Sequence, residues 1–313
     1  MDPARPLAGR FGLVTGAGKG LGRAFAMRLA AAGATVVVNN RVGAGDSAGA
    51  GSADAVVAEI LAAGGDAVAE YSDVRDRGFP DSVLDLVRRR GRIDFLVANA
   101  AVSAPRMFHR SSAEEFDLTT STNLGGTAHI AITCAAAMRE QGFGRIVLVS
   151  STAGLHGEPG VAAYAASKGA LIAMGRTMAA EGATRGVLTN VVLPYALTRM
   201  TASNMSTQQE LLLTPESVAP VVAALVDPSC TLNGQVLVCG ANALRAVGTV
   251  EWGTVPLPPS RLNAADLQQA VASSRLCPPQ EYEYAGKAYA DFAADVAELA
   301  AFVELAPDGR EAH

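Results

Sequence analysis

Short apolar runs, many of them β-branched, alternate along most of this chain with longer stretches whose apolar positions recur at helical spacing. Phe11–Thr15, Thr35–Val38, Ala67–Tyr71, Ile93–Ala98, Arg145–Ser150, Leu188–Leu193 and Gln235–Cys239 read as strands. Between them, Leu21–Ala32, Ser52–Ala63, Phe79–Arg90, Ala113–Leu124, Ala128–Gln141, Ala162–Glu181 and Pro215–Leu225 read as helices. The strands are apolar throughout instead of alternating, as strands buried on both faces are. The pattern predicts an α/β fold: a doubly wound parallel sheet of about seven strands with helices on both faces.

After about Ala246 the pattern changes. Pro256, Pro258 and Pro259 interrupt regular structure, and two helical patterns follow, Ala264–Ser274 and Lys287–Leu305. The second puts Tyr289, Phe292, Val296, Leu299 and Phe302 on one face. The expected division is an α/β domain over residues 1–247 and a helical extension over 248–313. A segment of that size makes only a thin core, so it is expected to pack on the domain or on a neighbouring subunit.

Composition narrows the function. The chain has 313 residues, half of them apolar, and a net charge of −5. Its longest basic run, Arg88-Arg89-Arg90, falls at a helix end, where it suits the dipole. Nucleic acid is therefore not an expected partner. No apolar run is long enough to span a bilayer, and no leader or peroxisomal address is expected from the termini. Cys134, Cys230, Cys239 and Cys277 show no C-x-x-C spacing and read as reduced thiols of a cytoplasmic protein. The four histidines lack metal-ligand spacing, so no metal site is expected.

Two segments carry chemistry. Thr15-Gly16-Ala17-Gly18-Lys19-Gly20-Leu21-Gly22 follows the first strand and opens into a helix. Glycines there let backbone approach a pyrophosphate, and the helix N-terminus supplies N–H groups and a positive dipole end, as in Rossmann-type folds. Tyr164 and Lys168 stand four apart on a helix, one turn above each other. A nearby ammonium favours the phenolate, so Lys168 is expected to lower the pKa of Tyr164, which can then exchange a proton with a carbonyl or alcohol oxygen.

The T-G-x-x-x-G-x-G spacing resembles the short-chain dehydrogenase/reductase family, and further segments agree. Asp73-Val74 follows the third strand, Asn99-Ala100-Ala101 ends the fourth, and Ser151 lies thirteen residues before Tyr164. Asn123 falls where the family keeps a structural and proton-relay Asn. The resemblance implies catalytic Asn123, Ser151, Tyr164 and Lys168. Ser151 would fix the reacting oxygen, Lys168 would hold the nicotinamide ribose, and Asn123 would kink its helix and hold a relay water. It implies cofactor contacts from Thr15, Gly16, Gly18, Lys19, Gly20, Leu21, Gly22, Asn40, Arg41, Asp73, Val74, Asn99, Ala100, Ala101, Pro194 and Thr198, besides Tyr164 and Lys168. Asp73 would touch the adenine and Thr198 the nicotinamide carboxamide.

The long insertion from Arg41 to Ser52, Asn39-Asn40, the run Pro194 to Met200 and the helical tail make the layout most similar to the dehydrogenase domain of peroxisomal multifunctional enzyme type 2. That domain is a (3R)-hydroxyacyl-CoA dehydrogenase. Where that relative carries an Asp for the adenosine ribose, this chain has Asn40 followed by Arg41. A neutral Asn removes the repulsion of a 2′-phosphate, and Arg41 and Lys19 are suited to pair with one. NADP(H) is therefore favoured over NAD(H).

Tyr195 replaces the family's Gly after Pro194, which leaves open whether it shapes substrate access or packs outward. The substrate space is expected between His156–Gly160 and a lid-like stretch, Tyr195–Leu213. That stretch has no basic cluster beyond Arg199 for a CoA phosphate. A 3-oxoacyl carrier-protein thioester, a polyketide-like intermediate or another hydrophobic ketone thus fits as the small-molecule or thioester substrate. The other reading is a non-redox use of the scaffold, as a cofactor-binding cyclase or isomerase or a nucleotide sensor. A homodimer or homotetramer is implied, through helices at about Ala113–Gln141 and Ala162–Glu181.

Overall fold

The computed structural model describes residues 5–41, 53–196, 211–257 and 262–305. The insertion at 42–52 and most of the expected lid, including Thr198, lie outside the described residues. The chain falls into two compact units, one up to Val247 and one from Gly248.

The first unit is built on eight strands: β1 (Phe11–Val14), β2 (Thr35–Asn39), β3 (Asp66–Glu70), β4 (Phe95–Ala98), β5 (Gly144–Val149), β6 (Val187–Pro194), β7 (Val236–Gly240) and β8 (Ala243–Val247). Their order is β3-β2-β1-β4-β5-β6-β7-β8, parallel up to β7, with β8 antiparallel to it. Successive residues of one strand enter opposite layers. Val14, Phe95, Val97, Val147 and Val149 pack with Phe25 and Leu29 of α1 (Gly20–Ala31), Val56 and Ile60 of α2 (Ala53–Ala62) and Val222 and Leu225. Leu13, Leu96, Ile146 and Leu148 pack with Phe79 and Val83 of α3 (Phe79–Arg90) and with Ile130, Met138 and Ile172 on the other face. Both faces are therefore covered, which is why the strands carry no polar alternation.

Two expectations need correction. The sheet has eight strands where about seven were expected. The turn from β7 to β8 runs through Ala241 and Asn242, both at positive φ (49° and 57°). That is the backbone of a tight hairpin turn, but without the Asn-Gly or Asp-Gly dipeptide that advertises one. The helices expected at Ala113–Leu124 and Ala128–Gln141 form one rod: α4 (Ala113–Thr120), a π-helical segment Ser121–Gly126, and α5 (Thr127–Gln141). The gap between the two expected ranges holds Gly125-Gly126, and Gly126 is there for close packing. A Cβ on it would meet Val74 at 2.8 Å.

The chain continues through α6 (Ala153–His156), α7 (Ala162–Gly182) and α8 (Ala219–Val226). In the second unit β9 (Val250–Glu251) pairs antiparallel with β10 (Gln280–Glu281), followed around them by α9 (Ala264–Ser274) and α10 (Ala285–Leu305). Asn263 caps α9 in a reciprocal box with Asp266. A groove of about 840 Å³, lined by Trp252, Tyr282, Asp291, Phe292 and others, lies wholly within this unit. No helix among the described residues is long and apolar enough to cross a membrane.

Candidate active site

The strand order reverses direction between β1 and β4, and the loops after these strands flank the crevice where doubly wound sheets take ligands. Thr15 ties the two loops together. Its Oγ1 accepts the backbone N–H groups of Asn99 and Ala100 at 3.0 and 3.1 Å. The Asn99 amide donates back to the carbonyls of Thr15 and Gly16, both at 3.1 Å. Gly16 sits at φ 61°, and a Cβ there would stand 2.8 Å from the Ala100 Cα. A Cβ on Gly22 would stand 2.2 Å from the Gly16 carbonyl oxygen. Gly18 is buried and Leu21 packs on the core, while Gly20 faces open space. Lys19 is exposed and precedes α1 without a side-chain cap for its first turn. Uncapped helix N–H groups beside a glycine turn fit a dinucleotide pyrophosphate.

At the ends of β2 and β3, Asn39 is buried and donates to Glu70 at 2.6 Å and to the Ser72 carbonyl at 3.0 Å. Its own carbonyl accepts from Ala17 at 2.8 Å, which fixes the glycine turn against β2. Asn40 donates to the Arg41 carbonyl at 3.2 Å. Arg41 Nη1 lies 3.6 Å from the Asp73 carboxylate. Asp73, expected to meet the adenine, has its carboxylate engaged by Arg75, whose hydrogen bonds hold it below the usual carboxylate range. Val74 is buried against Gly126.

On the other side of the crevice, Ser151 follows β5 and Tyr164 opens α7. Ser151 Oγ accepts the Ala153 N–H at 3.1 Å, and its hydroxyl stands close enough to the Tyr164 phenol to favour the phenolate. Lys168 is 2 % exposed; its Nζ donates to the Val149 carbonyl at 2.7 Å and lies 5.6 Å from the centre of the Tyr164 ring. Burial pushes the ammonium down to about 7. The same burial raises the Tyr164 phenol, with Ser151 pulling the other way. Lys168, expected to lower it, is not among the influences on the phenol: its ammonium is directed to a carbonyl, and desolvation of the phenolate sets the direction.

Asn123 is fully buried in the π-helical segment. It accepts the Val102 N–H at 2.8 Å and donates to the Val102 carbonyl at 2.9 Å and to Ser167 Oγ at 3.0 Å. Both amide protons are thus used on protein partners. Ser167 in turn donates to the Tyr164 carbonyl at 2.7 Å. Ser150 donates to the Lys168 carbonyl at 2.7 Å. Neither serine was singled out from sequence, because their partners are backbone carbonyls that no spacing reveals. Ala101 is half-buried after β4, and Pro194 ends β6 opposite Cys239. Tyr195 is 48 % exposed. Among the described residues no group of His, Cys, Asp or Glu is arranged to hold a metal ion.

The family model for short chain dehydrogenases matches residues 11–210. The chain belongs to the short-chain dehydrogenase/reductase family. It is therefore an oxidoreductase acting on CH–OH groups, in a family that uses nicotinamide dinucleotides. A Mycobacterium tuberculosis protein described as a short-chain type dehydrogenase/reductase is 41 % identical over 238 residues, covering 75 % of this chain and 83 % of its own length. Peroxisomal multifunctional enzyme type 2 of Drosophila melanogaster is 38 % identical over 254 residues, and the match takes in 80 % of this chain but 42 % of that enzyme. Its full-length structure superposes with a TM-score of 0.75, covering 93 % of this chain and 50 % of its own. A 3-oxoacyl-[acyl-carrier-protein] reductase of Synechocystis is 35 % identical over 239 residues, covering 73 % of this chain and 94 % of that protein.

Proposed function

We propose that this short-chain dehydrogenase/reductase is an NADP(H)-dependent ketoreductase that interconverts a ketone and a secondary alcohol, with a 3-oxoacyl thioester or polyketide-like carbonyl as substrate. The observation that carries the reading is the buried Lys168 Nζ at 5.6 Å from the centre of the Tyr164 ring, with Ser151 close enough to act on the same phenol. The bound nicotinamide would supply or accept the hydride. Tyr164 gives the proton to, or takes it from, the substrate oxygen. Ser151 holds that oxygen in place. Lys168, anchored to Val149, stands within reach of the Tyr164 ring. Asn123 acts at one remove, by clamping the loop after β4 to α7. A phenol raised by burial is protonated at neutral pH, which suits carbonyl reduction.

The substrate class rests on the reductase and the multifunctional enzyme among the relatives. The cofactor preference rests on Asn40 standing where a carboxylate would repel a 2′-phosphate, with Arg41 following it and exposed Lys19 in the glycine turn. A homo-oligomer is supported by the α4–α5 rod, which leaves Leu118 and Ile132 48 % and 68 % exposed. Replacing Tyr164 with Phe tests the reading. Ketone-dependent NADPH oxidation, followed at 340 nm, should fall by about 10²–10⁴-fold while NADPH still binds. Undiminished turnover in Tyr164→Phe would overturn it.

A further inference from the structure

The loop after β3 carries a charge arrangement that the catalytic reading does not use. Asp73 receives three hydrogen bonds from Arg75: from its backbone N–H at 2.9 Å, from Nε at 3.1 Å and from Nη2 at 2.8 Å. Arg41, arriving from the end of β2, stands at 3.6 Å from the same carboxylate. The Asp73 side chain is 16 % exposed, against 39 % for Arg75 and 59 % for Arg41. Asp76 flanks the group from the far side, accepting the Asp73 N–H at 3.3 Å.

We propose that Arg75 is a specificity-determining residue that acts through Asp73: by committing that carboxylate to itself, it leaves the charge of Arg41 for a 2′-phosphate. The proposal rests on the NADP(H) reading. Its physical basis is that a carboxylate can be neutralised by one guanidinium held in bidentate geometry, and the second guanidinium then keeps its full positive charge. Without Arg75, Asp73 closes on Arg41 and cancels the charge that would otherwise meet an incoming dianion. The order of influences on Asp73 agrees: its lowered pKa comes first from the Arg75 hydrogen bond and last from the charge of Arg41. Arg75 is thus a positioning residue and need not touch the cofactor.

Isothermal titration with NADPH and with NADH tests this without turnover. In the wild type NADPH should bind tighter. In Arg75→Gln the NADPH-to-NADH affinity ratio should fall about fivefold at low salt, less at high salt, since the effect is Coulombic and screened. Adding Asp73→Asn to Arg75→Gln should return the ratio to within about twofold of wild type, since the offending charge is gone. Continued NADH binding shows that each variant is folded. A ratio unchanged in Arg75→Gln, or one that Asp73→Asn does not restore, overturns the proposal; the second result would mean that Arg75 itself grips the phosphate. Equal affinity of the wild type for both cofactors would instead sink the NADP(H) reading, and the proposal with it.

Discussion

Burying an ammonium against a backbone carbonyl leaves most of its charge uncompensated, and Lys168 is held in this way. Burial lowers its pKa from 10.5 to about 7. The unfolded chain therefore binds one more proton than the folded one between about pH 7 and 10.5. The cost of desolvation is fully present below pH 7 and is relieved as pH rises through that window. Lys168→Met keeps the length of the side chain and removes the titration. The melting temperature of cofactor-free Lys168→Met minus that of wild type should thus be greatest at pH 7 or below and shrink towards pH 10. A difference that stays constant from pH 6 to 10 would show that Lys168 is not titrating in that range. The sign of the Tyr164 shift could not be read from its spacing to Lys168, because spacing reports who is near and says nothing of how much water is left.

At the scale of elements, the helical rod from α4 to α5 is where sequence and structure part most instructively. A π-helical turn inside an α-helix widens the backbone and is common at functional sites. Here it delivers Asn123 to the loop after β4 and to α7 at once. Removing the amide in Asn123→Ala leaves the Val102 N–H and carbonyl without their present partner. Stability to urea should fall by about 2–3 kcal/mol, from buried polar groups left unpaired. A loss under about 1 kcal/mol would mean that the clamp is not what joins these segments. The strands of the sheet were legible to within a few residues, because burial on both faces writes an unbroken apolar run such as Ile146–Val149. The eighth strand was not, because its exposed residues (Ala243 to Ala246) carry no such run and its turn has no glycine at the left-handed positions. Ser151, Tyr164 and Lys168 were legible through their spacing, whereas Ser150, Ser167 and the Val149 carbonyl act through main-chain groups common to every residue.

At the scale of the molecule, the second unit poses a problem of burial. Among the described residues from Gly248 to Glu298, none is buried. Trp252, Leu257, Leu267, Leu276, Tyr284, Tyr289 and Phe292 are between 44 % and 88 % exposed. A segment this size with no interior cannot offset the entropy of ordering its own chain. From Gly248 onward the sequence holds ten Asp and Glu against four Lys and Arg, so the negative charge of the protein is concentrated there. Acidic residues among large exposed apolar side chains mark a surface that is completed by another one. We propose that the extension packs on the catalytic unit or on a neighbouring subunit and stabilises the assembly by mass action. A chain ending at Val247 keeps every strand of the main sheet, so it should fold and retain its helical circular dichroism. It should nonetheless melt about 5 °C or more below the full chain, and light scattering should show a smaller assembly than the loss of the extension alone explains. If the shortened chain melts with the full one and keeps its subunit number, the extension is an appendage and its exposed aromatic residues serve something other than assembly.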